Sequence, residues 1–335
     1  MDLNKLNEEE LLELRICELP IAIKDTWLEV NINKFYGELN NKDIDFKPKC
    51  YLADEWLTPD KEPVIGIPFY LAHPALIRLE QKMMSEAEGS TSDWCMKLLR
   101  HEAGHAINYA YELYKQKEWQ QVFGHFDKEY ADTYKFRPYS KSFVRHLEDY
   151  YAQYHPDEDF AETFAVWLTP SSDWENQYKG WKALKKLKYV DSIMSVIKNQ
   201  EPVVKNAKEY WRASSLRSRL KNYYKKRKSF QAEDFPDFHD LNLKEIFMQK
   251  AGEVSKQNAG SLLSAYRKHI IESVSLWTGE KKYVIDDLVK KLIKRSRHLG
   301  LKVFESNEKA LLKVTAYIAA LVMNYVYTGK LRGNK

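Results

Sequence analysis

The chain has 335 residues and a mass of 39.6 kDa; with 44% apolar and 30% charged residues and only 12 Gly and 11 Pro, it is long enough for two globular domains and excludes a collagenous or wholly disordered chain. The net charge of +5 is unevenly divided, −9 over residues 1–200 and +14 over residues 201–335, which predicts separate domains over 1–195 and 200–335 and makes the second a candidate for contact with a polyanion. Three cysteines, Cys17, Cys50 and Cys95, at no metal-ligand spacing read as buried thiols of a reducing compartment, and the first residues show no secretory signal, so a cytoplasmic location is expected.

In chain order, Thr26 and Glu29 have capping-box spacing before Leu28, Ile32, Phe35 and Leu39 recur at helical intervals. Alternation from Ile44 to Leu52 reads as a strand, with Pro48 suggesting an edge position. The run Val64–Leu71 reads as a second strand in a small antiparallel or mixed sheet; its edge is a candidate for binding an extended peptide by strand addition, although Pro68 removes one donor. Gly89-Ser90-Thr91-Ser92 offers caps for a long helix to about Lys115. Aromatics between Trp119 and Tyr154 predict an ordered, aromatic-packed connection. His155-Pro156-Asp157-Glu158-Asp159 opens another helix, closed before Pro170. Beyond residue 200 the pattern is mostly helical; Ile285, Leu288 and Leu292 share a face. The apolar stretch Val314–Tyr327 is too short for a membrane span and reads as a core helix, so no transmembrane segment is expected.

His101-Glu102-Ala103-Gly104-His105 lies within the helix predicted from Ser92. Residues i and i+4 share a helical face, so both imidazoles can hold one tetrahedral zinc while Glu102 stands beside the open position and takes the proton of a water activated there. With 9 His and 29 Glu in the chain, the composition predicts about 0.02 chance occurrences of this pattern. Ala103, Gly104 and Ala106 leave room for a second element. Downstream, Glu158 and Glu162 share a face of the next helix; one can bind the metal and the other can accept the remaining N–H of a ligating imidazole. Asp159 is turned about 100° from Glu158 and is expected to face solvent or cap. No third His follows His105 at metzincin spacing. His73, His125, His146 and His155 are read as ordinary polar residues.

Three segments, Val64–Pro74, Leu99–Ala106 and Tyr151–Leu168, resemble the bacterial zinc-binding metallopeptidases of gluzincin type, a likeness that covers residues 15–190. The resemblance implies an α+β zinc peptidase domain with a small sheet beside two catalytic helices, followed by a mostly helical domain that matches no motif. It implies Zn²⁺ as cofactor, a peptide or protein as substrate, His101, His105 and Glu158 as metal ligands, Glu162 as the acid that orients a ligand, Glu102 as catalytic base, and Tyr151, seven residues before Glu158, as a donor to the tetrahedral intermediate. The competing reading is a non-catalytic zinc-containing binding protein whose basic C-terminal half holds a nucleic acid or a partner; a fourth protein ligand would favour it. The cations of Arg212–Lys228, interleaved with Tyr223 and Tyr224, form either a solvated face or an anion-binding surface.

Overall fold

The structure is a computed structural model and describes residues 1–130, 137, 139–147, 150–229, 239–247 and 257–328. The chain is mostly helical with small sheets, an α+β architecture, and divides into two compact units, residues 1–82 with 87–223 and residues 83–86 with 224–335. The first unit is built from α1 (Glu8–Glu13), α2 (Trp27–Asn40), β1 (Lys49–Ala53), β2 (Val64–Pro68), α3 (Pro74–Met84), α4 (Ser92–Ala110), α5 (Lys117–Phe123), α6 (Pro156–Leu168), α7 (Trp174–Gln177) and α8 (Ala183–Ile197). The chain passes through α9 (Leu220–Ser229) into α10 (Asp240–Ile246), β3 (Gln257–Asn258), α11 (Ala259–Thr278), α12 (Lys282–His298), β4 (Lys302–Val303) and α13 (Asn307–Thr328).

Side-chain caps set several helix starts. Thr91 Oγ1 accepts from Trp94 N at the head of α4, and His155 caps α6 with Pro156 in its first turn. At α2 the cap is shifted by one residue from the predicted box: Thr26 Oγ1 accepts from Leu28 N, while Glu29 Oε2 accepts from Asp25 N at 2.7 Å. Of the cysteines, Cys95 is buried, whereas Cys17 and Cys50 are half-buried, a correction to the three buried thiols expected; all three are free.

The two predicted strands pair in parallel, Lys49 with Val64 through Ala53 with Pro68, and not antiparallel. The link 54–63 is too long for a tight hairpin and folds back so that Leu57 exchanges both backbone hydrogen bonds with Gly66 in the antiparallel sense, giving a locally mixed sheet. That contact takes the middle of β2's free edge, and all of Val64–Pro68 is buried, so the strand-addition surface expected there is closed. A β-carbon on Gly66 would meet Leu57 Cδ2 at 2.5 Å and Ala53 Cβ at 2.9 Å; the Leu57 tip can turn away, but the Ala53 β-carbon is fixed to the β1 backbone, which favours glycine here.

The core of the first unit is the crossing of α4 and α6. A β-carbon on Gly104 would lie 2.6 Å from Ala161 Cα and 2.9 Å from its carbonyl oxygen, so the two backbones touch where a side chain would hold them apart. Trp119, Phe123 and Phe160 pack behind this crossing in tilted and edge-to-face pairs, with ring centroids 5.3–5.9 Å apart. Trp119 and Phe123 belong to the predicted aromatic-packed connection, of which residues 131–136, 138 and 148–149 lie outside the described residues. On the other flank Arg100 donates from Nε and Nη2 to both Glu38 oxygens at 2.7 Å, a buried bidentate pair that clamps α4 to α2. Gly104→Ala is expected to destabilise the protein by about 1–3 kcal/mol, because the close-packed backbone of Ala161 cannot yield without moving α6. Urea unfolding reads this directly, and an unchanged midpoint would refute the contact.

Residues 201–223 pack on the first unit: Val203 and Val204 N–H both donate to Ala110 O, and Ile16 and Cys17 N–H donate to Ser218 and Leu216 carbonyls. In the basic run, Arg212 pairs with Glu209, and Arg219 and Lys221 pair with Glu13. Tyr223 donates to Asp54 O at 2.8 Å and its half-buried ring packs edge-on against Phe69, while Tyr224 is fully buried and its ring is not free to stack on a base. In the second unit the predicted face of α12, Ile285, Leu288 and Leu292, is buried against α11 and α13, and Val314, Ile318 and Leu321 make α13 a core helix. No helix among the described residues is long and apolar enough to cross a membrane.

Candidate metal centre

One face of α4 carries the chemistry. His101 and His105, one turn apart, both point at the N-terminal half of α6, and the same stripe continues to Asn108 and Tyr109. All residues from Pro156 to Leu168 in α6 are buried, although four of them are acids. Four buried carboxylates on one helix need partners, and each has one.

Glu162 Oε1 accepts from His101 Nδ1 at 2.8 Å, and its second oxygen accepts from Leu147 N at 2.9 Å. Asp157 Oδ2 accepts from His105 Nδ1 at 2.8 Å and from Tyr109 OH at 2.5 Å, and Oδ1 accepts from Asn108 Nδ2 at 2.8 Å. In its neutral form each imidazole thus keeps its proton on Nδ1 and offers a lone pair on Nε2. The two Nε2 atoms lie 3.2 Å apart, and Glu158 Oε2 lies 3.3 Å from that of His101 and 3.1 Å from that of His105.

Three lone pairs therefore converge on one point. A proton between them satisfies one pair at a time, whereas a metal ion satisfies all three. A tetrahedral ion with bonds of about 2.0–2.1 Å has ligands about 3.3–3.4 Å apart, close to the observed triangle. The donor set, two imidazoles and a carboxylate, is one that zinc accepts, and among the described residues no fourth His, Cys, Asp or Glu joins the group.

The electrostatics also favour a cation. Burial by itself lowers the His101 pKa, yet hydrogen bonds that the ring donates to the Glu158 and Glu162 carboxylates outweigh it and push the group up to about 10. His105 is likewise raised, against burial, by Asp157 and Glu158. Burial raises Glu158 and Glu162, but the imidazoles hold both below the ordinary carboxylate range. The sign for metal uptake follows: below about pH 10 metal-free His101 holds a proton that a metal must displace, so zinc affinity rises with pH, about tenfold per unit for each proton released. Calorimetric titration with zinc in buffers of different ionisation enthalpy counts these protons; uptake with no proton release near pH 7 would contradict the arrangement.

Glu102 is buried beside the two histidines, and burial pushes its carboxyl pKa up while His101 and His105 partly oppose the shift. Its backbone oxygen accepts from Thr58 Oγ1 at 3.0 Å, which ties this turn of α4 to the link between β1 and β2. The Tyr151 ring lies 5.6 Å from that of His101, following Tyr150 in a left-handed conformation at φ 56°.

All six residues singled out in the sequence thus lie at or beside one buried cluster. Asp159 differs from expectation: it is buried, not solvent-facing, because α8 covers that side of α6 and Lys186 Nζ meets its carboxylate. Sequence reasoning passed over Asp157, Asn108, Tyr109 and Tyr130. The first three had a signal, since Asn108 and Tyr109 continue the His101–His105 stripe at i+7 and i+8, and Asp157 precedes the ligand candidate. His155 is a cap: Nδ1 accepts from Asp157 N, and Nε2 donates to Lys128 O at 2.6 Å.

Residues 83–207 match the family described as "Putative zinc-binding metallo-peptidase". The matched segment contains α4 and α6 with all six of these residues. No curated protein and no solved structure matches the chain.

Proposed function

We propose that the unit bearing this match to the zinc-binding metallo-peptidases is a zinc-dependent peptidase of gluzincin type, with His101, His105 and Glu158 as metal ligands and Glu102 as general base. The observation that carries the reading is the convergence of two Nε2 lone pairs and one carboxylate oxygen, each imidazole backed by its own acid, directly beside a buried glutamate. Bound there, zinc would polarise a peptide carbonyl and make water acidic enough to attack near neutral pH.

The chain's own residues supply the rest. Glu102 takes the proton of the attacking water and returns it to the leaving amine, and its raised pKa suits both transfers. Glu162 and Asp157 keep the imidazole lone pairs aimed at the ion. Tyr151, beside His101, donates to the oxyanion as it forms. The substrate is a peptide or protein. Catalysis is assigned to the domain built on residues 1–195, which residues 201–223 join, with the rest of the basic region 200–335 as a separate helical domain, and three free cysteines fit a cytoplasmic setting. Metal analysis combined with a proteome-derived peptide cleavage screen, run on wild type and Glu102→Gln together, tests the assignment.

A further inference from the structure

The oxygen of Glu158 that does not face the histidines is also engaged. Its Oε1 accepts a hydrogen bond of 3.2 Å from Tyr130 OH, while Oε2 faces both Nε2 atoms. The Tyr130 ring is half-exposed, 48%, and stacks on the imidazole of His155, with centroids 4.0 Å apart and planes 14° from parallel. His155 in turn caps α6 and donates to Lys128 O at 2.6 Å. These contacts close a loop, Lys128 to His155 to Tyr130 to Glu158, that ties the segment after α5 to the helix carrying the ligand.

We propose that Tyr130 is a positioning residue that holds the Glu158 carboxylate so that a single oxygen is presented to the metal, which keeps a coordination position open for water and substrate. This rests on the zinc-site reading above. The physical reason is competition for one carboxylate. A free Glu side chain can swing both oxygens onto an ion, and a five-coordinate ion polarises its remaining ligand less strongly. The phenol is protonated at neutral pH and can only donate to an ionised carboxylate, so it occupies Oε1 and leaves Oε2. The stack on His155 keeps the phenol at a defined place although half of it is exposed. The signal is absent from motif spacing, since Tyr130 lies 28 residues before Glu158 in an irregular segment.

The test uses the full-length protein loaded with Co²⁺, whose visible absorption is stronger in four-coordinate than in five-coordinate sites. Tyr130→Phe keeps the ring and its stack and removes only the hydroxyl. It is expected to lower the intensity of the cobalt bands and to weaken Co²⁺ and Zn²⁺ binding about 10–100-fold, the range for the loss of an outer partner of a ligand. Tyr130→Ala, which also removes the stack, should change the spectrum at least as much. A Tyr130→Phe protein with wild-type melting, affinity and cobalt spectrum overturns the proposal while leaving the metal site standing. Wild type that takes up no cobalt overturns the zinc-site reading itself, and this proposal with it.

Discussion

Glu102→Gln is expected to retain near-stoichiometric zinc and wild-type melting while losing peptide hydrolysis by about 10²–10⁴-fold, the usual contribution of a positioned acid–base group. The amide keeps the size and much of the hydrogen bonding of the carboxylate but cannot take a proton. Glu102 belongs to neither the three converging donor atoms nor the acids behind them, so the metal should stay. Its surroundings argue against a bystander role, since a buried carboxylate beside two imidazoles carries a desolvation cost that a solvated helix face would not impose. Zinc content is read by atomic absorption and cleavage by mass spectrometry of a peptide library; undiminished hydrolysis by the Gln variant would remove Glu102 from the mechanism. Loss of zinc in that variant would instead place Glu102 among the ligands.

Glu158→Ala is expected to weaken zinc binding by far more than about 100-fold, whereas Glu162→Ala and Asp157→Asn should each cost about 10–100-fold, because in the proposed site they would orient ligands without supplying one. The difference rests on which atoms converge. Glu158 Oε2 is within 3.3 Å of both Nε2 atoms, while Glu162 and Asp157 reach the Nδ1 atoms on the far sides of the two rings. Asp157→Asn is the sharper of the two outer tests. Its Oδ2 accepts from both His105 and Tyr109, and an amide nitrogen there could accept from neither. Competition with a chromophoric chelator measures all three affinities on one scale. Tighter zinc in Glu158→Ala than in Glu162→Ala would exchange their roles.

The parts of the site readable from sequence are those written within one turn of helix. The spacing of His101 and His105 places two imidazoles on one face whatever surrounds them, because 3.6 residues per turn is a property of the backbone. The helix starts at Thr91 and at His155-Pro156 are likewise local, set by side chains that bond the first free N–H groups. Glu158 and Glu162 on one face follow from the same rule, and the structure supports giving them different partners.

What only the tertiary structure decided involves residues far apart in the chain. His101 and Glu162 are 61 positions apart and His105 and Asp157 are 52, and nothing in either helix alone says which acid meets which ring. That choice is made where Gly104 lets α4 and α6 touch at Ala161, which sets their relative rotation and height. Asp159 is buried because α8 happens to lie over it with Lys186, a fact outside the α6 sequence. The direction of the β1–β2 pair was not in the strands either, since alternation marks which face is buried and is the same for a strand read in either sense; the path of residues 54–63 and the return of Leu57 to Gly66 decided it. Sequence by itself therefore determined which groups can do the chemistry, because their types and short spacings are covalent facts. The packing of distant helices determined which of them meet, because that depends on contacts whose cost in chain entropy only the assembled core can offset.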